Sequence, residues 1–174
     1  MSRRTDRSAR IGPVEVVVTR LGAGGDGIAA LPDGRPAYIP DALPGERVRI
    51  LPGARRGEGV TTSLLARLTD SPDRAAPPCP HFGPCGGCTA QHLNIDAYRR
   101  WKTALLAEAL RRAGFPDTPI DPLVPAAPAT RRRAEFAIRG SAIGFHERAS
   151  RRVVDAPSCR VLDLAILALA QRLR

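Results

Sequence analysis

Apolar and polar positions alternate with period two through most of residues 11–70. Val14, Val16 and Val18 share one strand face, followed by Ile28 with Ala30, Ala37 with Ile39, Val48 with Ile50, and Leu64, Ala66 and Leu68. Between these runs stand turn signals: Gly22-Ala-Gly-Gly-Asp-Gly27, Pro32-Asp-Gly34, Leu43-Pro-Gly45 and Arg55-Arg-Gly57. Five short strands within about 60 residues predict a small closed barrel of the OB type, a fold often used to hold oligonucleotides. The glycine loop leads into a strand rather than a helix, so it is not a dinucleotide fingerprint. Each of its glycines is expected to serve a tight turn at positive φ.

The pattern changes after residue 70. A proline-rich linker is expected over residues 71–78, and a cysteine-rich loop follows. The 3.6-residue period then predicts a helix from a cap at Asn94 or Asp96 to Arg112, stopped by Gly114 and Pro116. Tyr98, Trp101, Leu105 and Ala109 fall on one face, with Tyr98 and Trp101 expected as core anchors. Residues 115–130 form a second proline-rich linker. Strands are expected at Arg133–Arg139, Ala142–Arg148 and Arg152–Asp155. A last helix is expected over Leu162–Leu173, with Leu162, Ala165, Ile166, Leu169 and Leu173 on one face. So apolar a helix needs cover on most sides. The chain is therefore expected to be the front part of a longer protein. The fold class is β-rich α+β: a disordered basic arm (1–10), the barrel (11–70), the cysteine loop with its helix (79–114), and an incomplete α+β unit (131–174).

Composition adds a partner class. The formal net charge is +10 and the isoelectric point about 11.0. Lys102 is the one lysine, so the rest of the positive charge is arginine. Guanidinium groups pair bidentately with phosphate and stack on bases, which points to nucleic acid. Residues 131–174 hold ten arginines against four acids. No apolar run approaches the roughly 18 residues of a membrane span, and Met1–Arg7 lacks the apolar stretch of a signal peptide. The chain is expected to be cytoplasmic and monomeric, without a membrane partner.

Candidate chemistry sits in Cys79-Pro-His-Phe-Gly-Pro-Cys85-Gly-Gly-Cys88 and, 70 residues further on, Cys159. In a cytosolic chain such cysteines point to metal or catalysis rather than disulfides. Structural zinc usually takes two close cysteine pairs. A triplet plus a distant single suits a cube-shaped iron–sulfur cluster better, since its corners need well-separated ligands. Gly86-Gly87 would let the backbone pass close to the cluster and offer amides to sulfur, while Pro78, Pro80 and Pro84 stiffen the loop. Zinc and free thiols are the alternatives, and His81 or His92 could replace a thiolate. A catalytic cysteine finds no Cys-His or Ser-His-Asp arrangement to support it. An electron carrier is disfavoured by the basic charge.

Cys79-x5-Cys85-Gly86-Gly87-Cys88-x-x-Gln91-His92, followed by Tyr98-x-x-x-Lys102, resembles the S-adenosylmethionine-dependent RNA uracil-C5 methyltransferases that carry a 4Fe-4S cluster, the 23S ribosomal RNA enzymes above all. Gly22–Ala29, Tyr38-Ile39-Pro40 and Leu43-Pro44-Gly45-Glu46-x-Val48 resemble the TRAM domain of that family. Arg131-Arg132-Arg133 and Asp155-x-x-x-Cys159 resemble the start of its central domain. The resemblance implies that Cys79, Cys85, Cys88 and Cys159 ligate a 4Fe-4S cluster that is structural and aids RNA binding. It also implies an RNA partner, 23S ribosomal RNA. Arg131, Arg132 and Arg133, with Arg99 and Arg100, are the expected phosphate contacts. In the family, catalysis lies in a C-terminal Rossmann-like domain, where a cysteine attacks uracil C6 and a base later removes the C5 proton. This sequence has no fifth cysteine and no strand–glycine loop–helix site for S-adenosylmethionine. No catalytic or cofactor-binding residue carries over, and the chain alone is expected to bind RNA without methylating it.

Overall fold

The computed structural model describes residues 12–174. The basic arm expected over residues 1–10 lies outside them. The described residues form a strand-rich α+β structure whose two compact units divide between Pro72 and Asp73.

In the first unit the period-two alternation becomes an inside and an outside. The strands are β1 (Val14–Val17), β2 (Arg20–Leu21), β3 (Gly27–Ala30), β4 (Pro36–Ile39), β5 (Arg47–Arg56) and β6 (Gly59–Arg67). Their order in the sheet is β1-β5-β6-β4-β3-β2, with β4 and β6 parallel and the other pairs antiparallel. β1 and β2 lie at opposite ends of this order, yet only Val18 and Thr19 separate them in the chain. Val18 N–H donates to Glu46 O at 2.9 Å, and Thr19 N–H to Ile28 O at 2.8 Å. The chain thus steps from one edge to the other, and the sheet has to curl. Val16, Val18, Ile39, Val48, Ile50 and Val60 fill the interior. On β5, Arg47 and Arg49 alternate outward and meet Glu15 across the β1 pairing.

A sixth strand joins the five expected. β2 is two residues long, too short to show a period. Pro52 and Gly53 would ordinarily argue against a strand interior. Here β5 runs through them with register irregularities at Arg49/Ile50 and Pro52/Arg55. The glycine loop is a correction: of its glycines, Gly25 alone takes positive φ, at 85°. Gly27 is required for space instead, since a Cβ there would meet Ala42 O at 2.7 Å and Val18 Cγ1 at 2.9 Å.

The second unit holds α1 (Ile95–Arg112), the sheet β7 (Ala137–Arg139), β8 (Ala142–His146) and β9 (Val153–Asp155), and α2 (Leu164–Arg172). Asn94, rather than Asp96, caps α1; its side chain accepts from Ala97 N–H at 2.8 Å. Within the expected first linker, Arg74 bridges Leu93, and Asn94 N–H donates to Asp73 O at 2.8 Å. Arg133–Phe136 stay outside the strands. The expected face of the last helix is also corrected. Leu162 precedes α2 and is fully buried in a parallel bridge with Arg131. Asp163 caps the helix through Ala165 N–H. The buried side runs through Ala170, and Leu169 and Leu173 stand 56% and 65% exposed.

Candidate metal centre

Cys79, Cys85, Cys88 and Cys159 line one small cavity in the second unit, although 70 residues separate the last two in sequence. His81, Phe82, Gly87, Gln91, Arg131, Phe145 and Ala156 complete its wall.

The loop Cys79–Cys88 is held by backbone bonds that its sequence makes available. Phe82 N–H donates to Cys79 O at 3.1 Å, and Cys85 N–H to His81 O at 3.0 Å. Gly83 sits between them at a φ of 95°, a region that favours glycine. Cys85 then pairs with Glu147 in an antiparallel bridge, and Gly86 N–H donates to His146 O at 2.9 Å. The loop is thereby attached to the end of β8. The two adjacent glycines have different tasks. A Cβ on Gly86 would lie 2.5 Å from His146 O, so Gly86 lets the loop lie against the strand. Gly87 faces the sulfur instead: its N–H donates to Cys85 Sγ at 3.4 Å.

Cys159 is presented by the segment between β9 and α2. Gln171 Nε2 donates to Pro157 O at 3.0 Å on one side, and Ala129 N–H donates to Arg160 O at 3.0 Å on the other. His81 Nε2 lies 3.1 Å from Ser158 Oγ, which places His81 beside this segment. His92 is buried and stacks near Phe82, with ring centroids 5.4 Å apart, and it is not part of the cavity wall.

Burial pushes the Cys85 thiol up, opposed by the Gly87 N–H, and the neighbouring cysteines raise it further. Burial also pushes Cys88 up. The Gln91 side-chain hydrogen bond and the Arg131 charge oppose that rise. Among the described residues, no group of three or more His, Cys, Asp or Glu side chains is set to hold a metal ion. The four cysteines all line the same cavity. Their donor chemistry is uniform sulfur in a mostly apolar wall, with the Gly87 N–H aimed at the Cys85 sulfur. Such a set fits a thiolate-held iron–sulfur group.

The arginines divide. Arg100 reaches Asp73 at 2.7 Å, and Arg99 reaches Asp96 at 3.4 Å, so both already have carboxylate partners. Arg131 is fixed through its backbone: its N–H donates to Val161 O at 3.0 Å, and its carbonyl accepts from Asp163 N–H at 3.0 Å. Its side chain borders the cysteine cavity. Arg132 and Arg133 are exposed. Tyr98 and Trp101 are half-buried, edge to face at 6.1 Å, with the Lys102 ammonium 4.6 Å from the Trp101 ring centre. The sequence motif includes Gln91 without giving it a role, and no sequence signal marks Phe82, Phe145 or Ala156 as part of this wall. Apolar residues scattered over separate elements give no local signal of a shared wall.

Residues 13–51 match the TRAM domain. Over 164 residues the chain is 41% identical to an uncharacterized RNA methyltransferase of Brucella suis biovar 1, covering 92% of this chain and 38% of that protein. The chain is related to RNA methyltransferases. It is 37% identical over 162 residues to the 23S rRNA (uracil(1939)-C(5))-methyltransferase RlmD of Chromohalobacter salexigens, covering 90% of this chain and 34% of that one. Among solved structures it resembles the Pyrococcus abyssi tRNA (uracil-54, C5)-methyltransferase, crystallised with S-adenosyl-L-homocysteine. The TM-score is 0.61 and the identity 27%, over 91% of this chain and 35% of that one. The chain thus spans little more than a third of these methyltransferases. No helix among the described residues is long and apolar enough to cross a membrane.

Proposed function

We propose that this chain is the RNA-gripping, 4Fe-4S-carrying N-terminal part of an S-adenosylmethionine-dependent ribosomal RNA uracil-C5 methyltransferase. The observation that carries the proposal is the gathering of four cysteines, from two remote segments, around one cavity in a chain that begins with a TRAM domain. In this reading Cys79, Cys85, Cys88 and Cys159 hold the cluster. When bound, the cluster supplies a covalent tie between the loop before α1 and the segment before α2. The same segment ends in the bridge to Arg131, so the tie also fixes the start of Arg131-Arg132-Arg133.

RNA is gripped by charge. Arg131, Arg132 and Arg133 are exposed and contact phosphates, while Arg99 and Arg100 contribute less because each has a carboxylate neighbour. Methyl transfer, the S-adenosylmethionine site and the choice of uridine belong to parts of the enzyme that these residues do not supply.

The test is binding of a single-stranded or loop-containing 23S ribosomal RNA fragment across a salt series. Wild-type affinity should fall steeply with salt. Arg132→Gln with Arg133→Gln should reduce the slope of log affinity against log salt by about one to two. An unchanged slope would remove the assignment of these arginines. Salt-independent binding, or none, would remove the RNA reading itself.

A further inference from the structure

A second pocket, of about 610 Å³, adjoins the cysteine cavity and shares Gln91 and Arg131 with it. Ala126, Ala127, Pro128 and Val161 give it a largely apolar lining, and Arg131 and Arg160 bring two guanidinium groups to it. Arg132 and Arg133 do not line it. Arg160 stands far from the basic run in sequence, and the fold sets it beside Arg131. Ala129 N–H donates to Arg160 O and Arg131 N–H to Val161 O, both at 3.0 Å, and Arg131 bridges Leu162. Between the two pairings Ala129 takes a φ of 56°, a left-handed value uncommon for alanine. Thr130 Oγ1 donates to Ala127 O at 2.7 Å and steadies this turn. Backbone strain of this kind clusters at ligand sites. Both arginines are exposed, and no acidic residue lines the pocket. Neither arginine has an ion-pair partner among the described residues, in contrast to Arg99 and Arg100.

We infer that Arg160 and Arg131 form a two-guanidinium clamp for one RNA phosphate, with the attached nucleoside lying against Ala126-Ala127-Pro128. Each guanidinium offers paired N–H donors to phosphate oxygens. The apolar lining suits a ribose and an unstacked base, which single-stranded or loop RNA presents and a duplex does not. The pocket falls in the size range of sites that take one small ligand, enough for a nucleotide. The inference rests on the RNA reading above. It adds to that reading a residue, Arg160, that the basic run does not contain.

The test uses the full chain and the single-stranded 23S ribosomal RNA fragment of the salt series, together with copies that carry one neutral methylphosphonate linkage each. Arg160→Gln should weaken binding about three- to tenfold, as expected for an exposed charge-assisted contact. Arg151→Gln removes the same charge at an exposed site outside the pocket and should weaken it less than about twofold. Arg160→Lys should keep the salt slope yet recover only part of the affinity, because an ammonium lacks the guanidinium fork. At one linkage the methylphosphonate should cost the wild type about tenfold and cost the Arg131→Gln/Arg160→Gln double variant nothing, since both arginines address that phosphate. Equal losses in Arg151→Gln and Arg160→Gln, or a methylphosphonate profile of unchanged shape in the double variant, would overturn the clamp and leave the RNA reading standing. A folded wild-type chain that binds no RNA would defeat the RNA reading and the clamp with it. If Arg160→Gln fails to fold, the methylphosphonate profiles of the wild type and Arg160→Lys decide: loss of the one sensitive linkage's full effect in Arg160→Lys supports the clamp, and identical profiles overturn it.

Discussion

The adjacent glycines of the cysteine loop give a sharp contrast. Gly86→Ala would place a methyl group 2.5 Å from His146 O, 3.3 Å from Arg148 N and 3.5 Å from Glu147 C. All three atoms are backbone, so no side chain can swing aside. The loop must lift from β8 by several tenths of an ångström, which strains or breaks the bond from Gly86 N–H to His146 O. Overpacking of this kind costs about 1–3 kcal/mol, and a lost, partly buried hydrogen bond about 1 kcal/mol, giving roughly 2–4 kcal/mol. Gly87→Ala meets only Cys85 Sγ and Phe145 ring atoms at 3.4–3.5 Å, at the edge of ordinary contact. Its cost should stay below about 1 kcal/mol. Urea unfolding followed by the fluorescence of Trp101 is the assay, because this single tryptophan lies in the second unit and reports on it. At a typical slope of about 1–3 kcal/mol per molar urea, the Gly86→Ala midpoint should fall by about 1–2 M and the Gly87→Ala midpoint by much less. Equal shifts in the two variants would refute the division of labour between these glycines.

Three further outcomes follow from the geometry. The Glu46 carboxylate is buried and accepts from Leu43 N–H at 2.9 Å and Ser71 N–H at 3.3 Å. Glu46→Ala should therefore destabilise the first unit by about 2–4 kcal/mol, with Glu46→Gln costing less, as read by amide exchange in β5. Hydrogen bonds from Arg111 and Arg112 lower the Glu108 carboxyl to about 2, from 4.5. The pairing is thus intact above pH 4.5 and lost as pH falls through about 2; a carboxyl-carbon NMR titration near 4.5 would contradict it. Arg56 holds the buried Asp26 at 2.8 Å and stacks 4.9 Å from the Tyr38 ring centre. Arg56→Met should loosen the β5–β6 hairpin and raise amide exchange near Gly59 and Val60, and an unchanged exchange rate there would count against this contact.

The barrel was legible because its core repeats locally: Val14 to Val18 and Val48 to Ile50 alternate, and Gly34 and Gly45 stand in expected turns, both at positive φ. What remained hidden depends on contacts distant in sequence. β2 forms because β3 offers it an edge, and Gly27 is needed because Ala42 passes beside it. The apolar pattern of α2 continues back through Leu162, whereas Leu162 lies before the helix, its backbone in the bridge with Arg131 and its side chain buried. The cysteine spacing suggests residues that meet, and the fold does bring all four to one cavity, yet only the fold shows that Gly86 serves the contact with β8. The arginine triplet illustrates the same limit. Three identical residues read as one basic run, but only the first of them has its backbone paired to the segment before α2.

Whether the four cysteines hold one cluster is decided by an absorption spectrum with iron and sulfide analysis of the anaerobically purified chain. If they do, the chain shows a broad band near roughly 400 nm with about four irons and four sulfides. The band is then lost in Cys159→Ala, the cysteine most remote in sequence, and the four-cysteine cluster stands. A folded chain carrying a single zinc ion, or no metal at all, would contradict it.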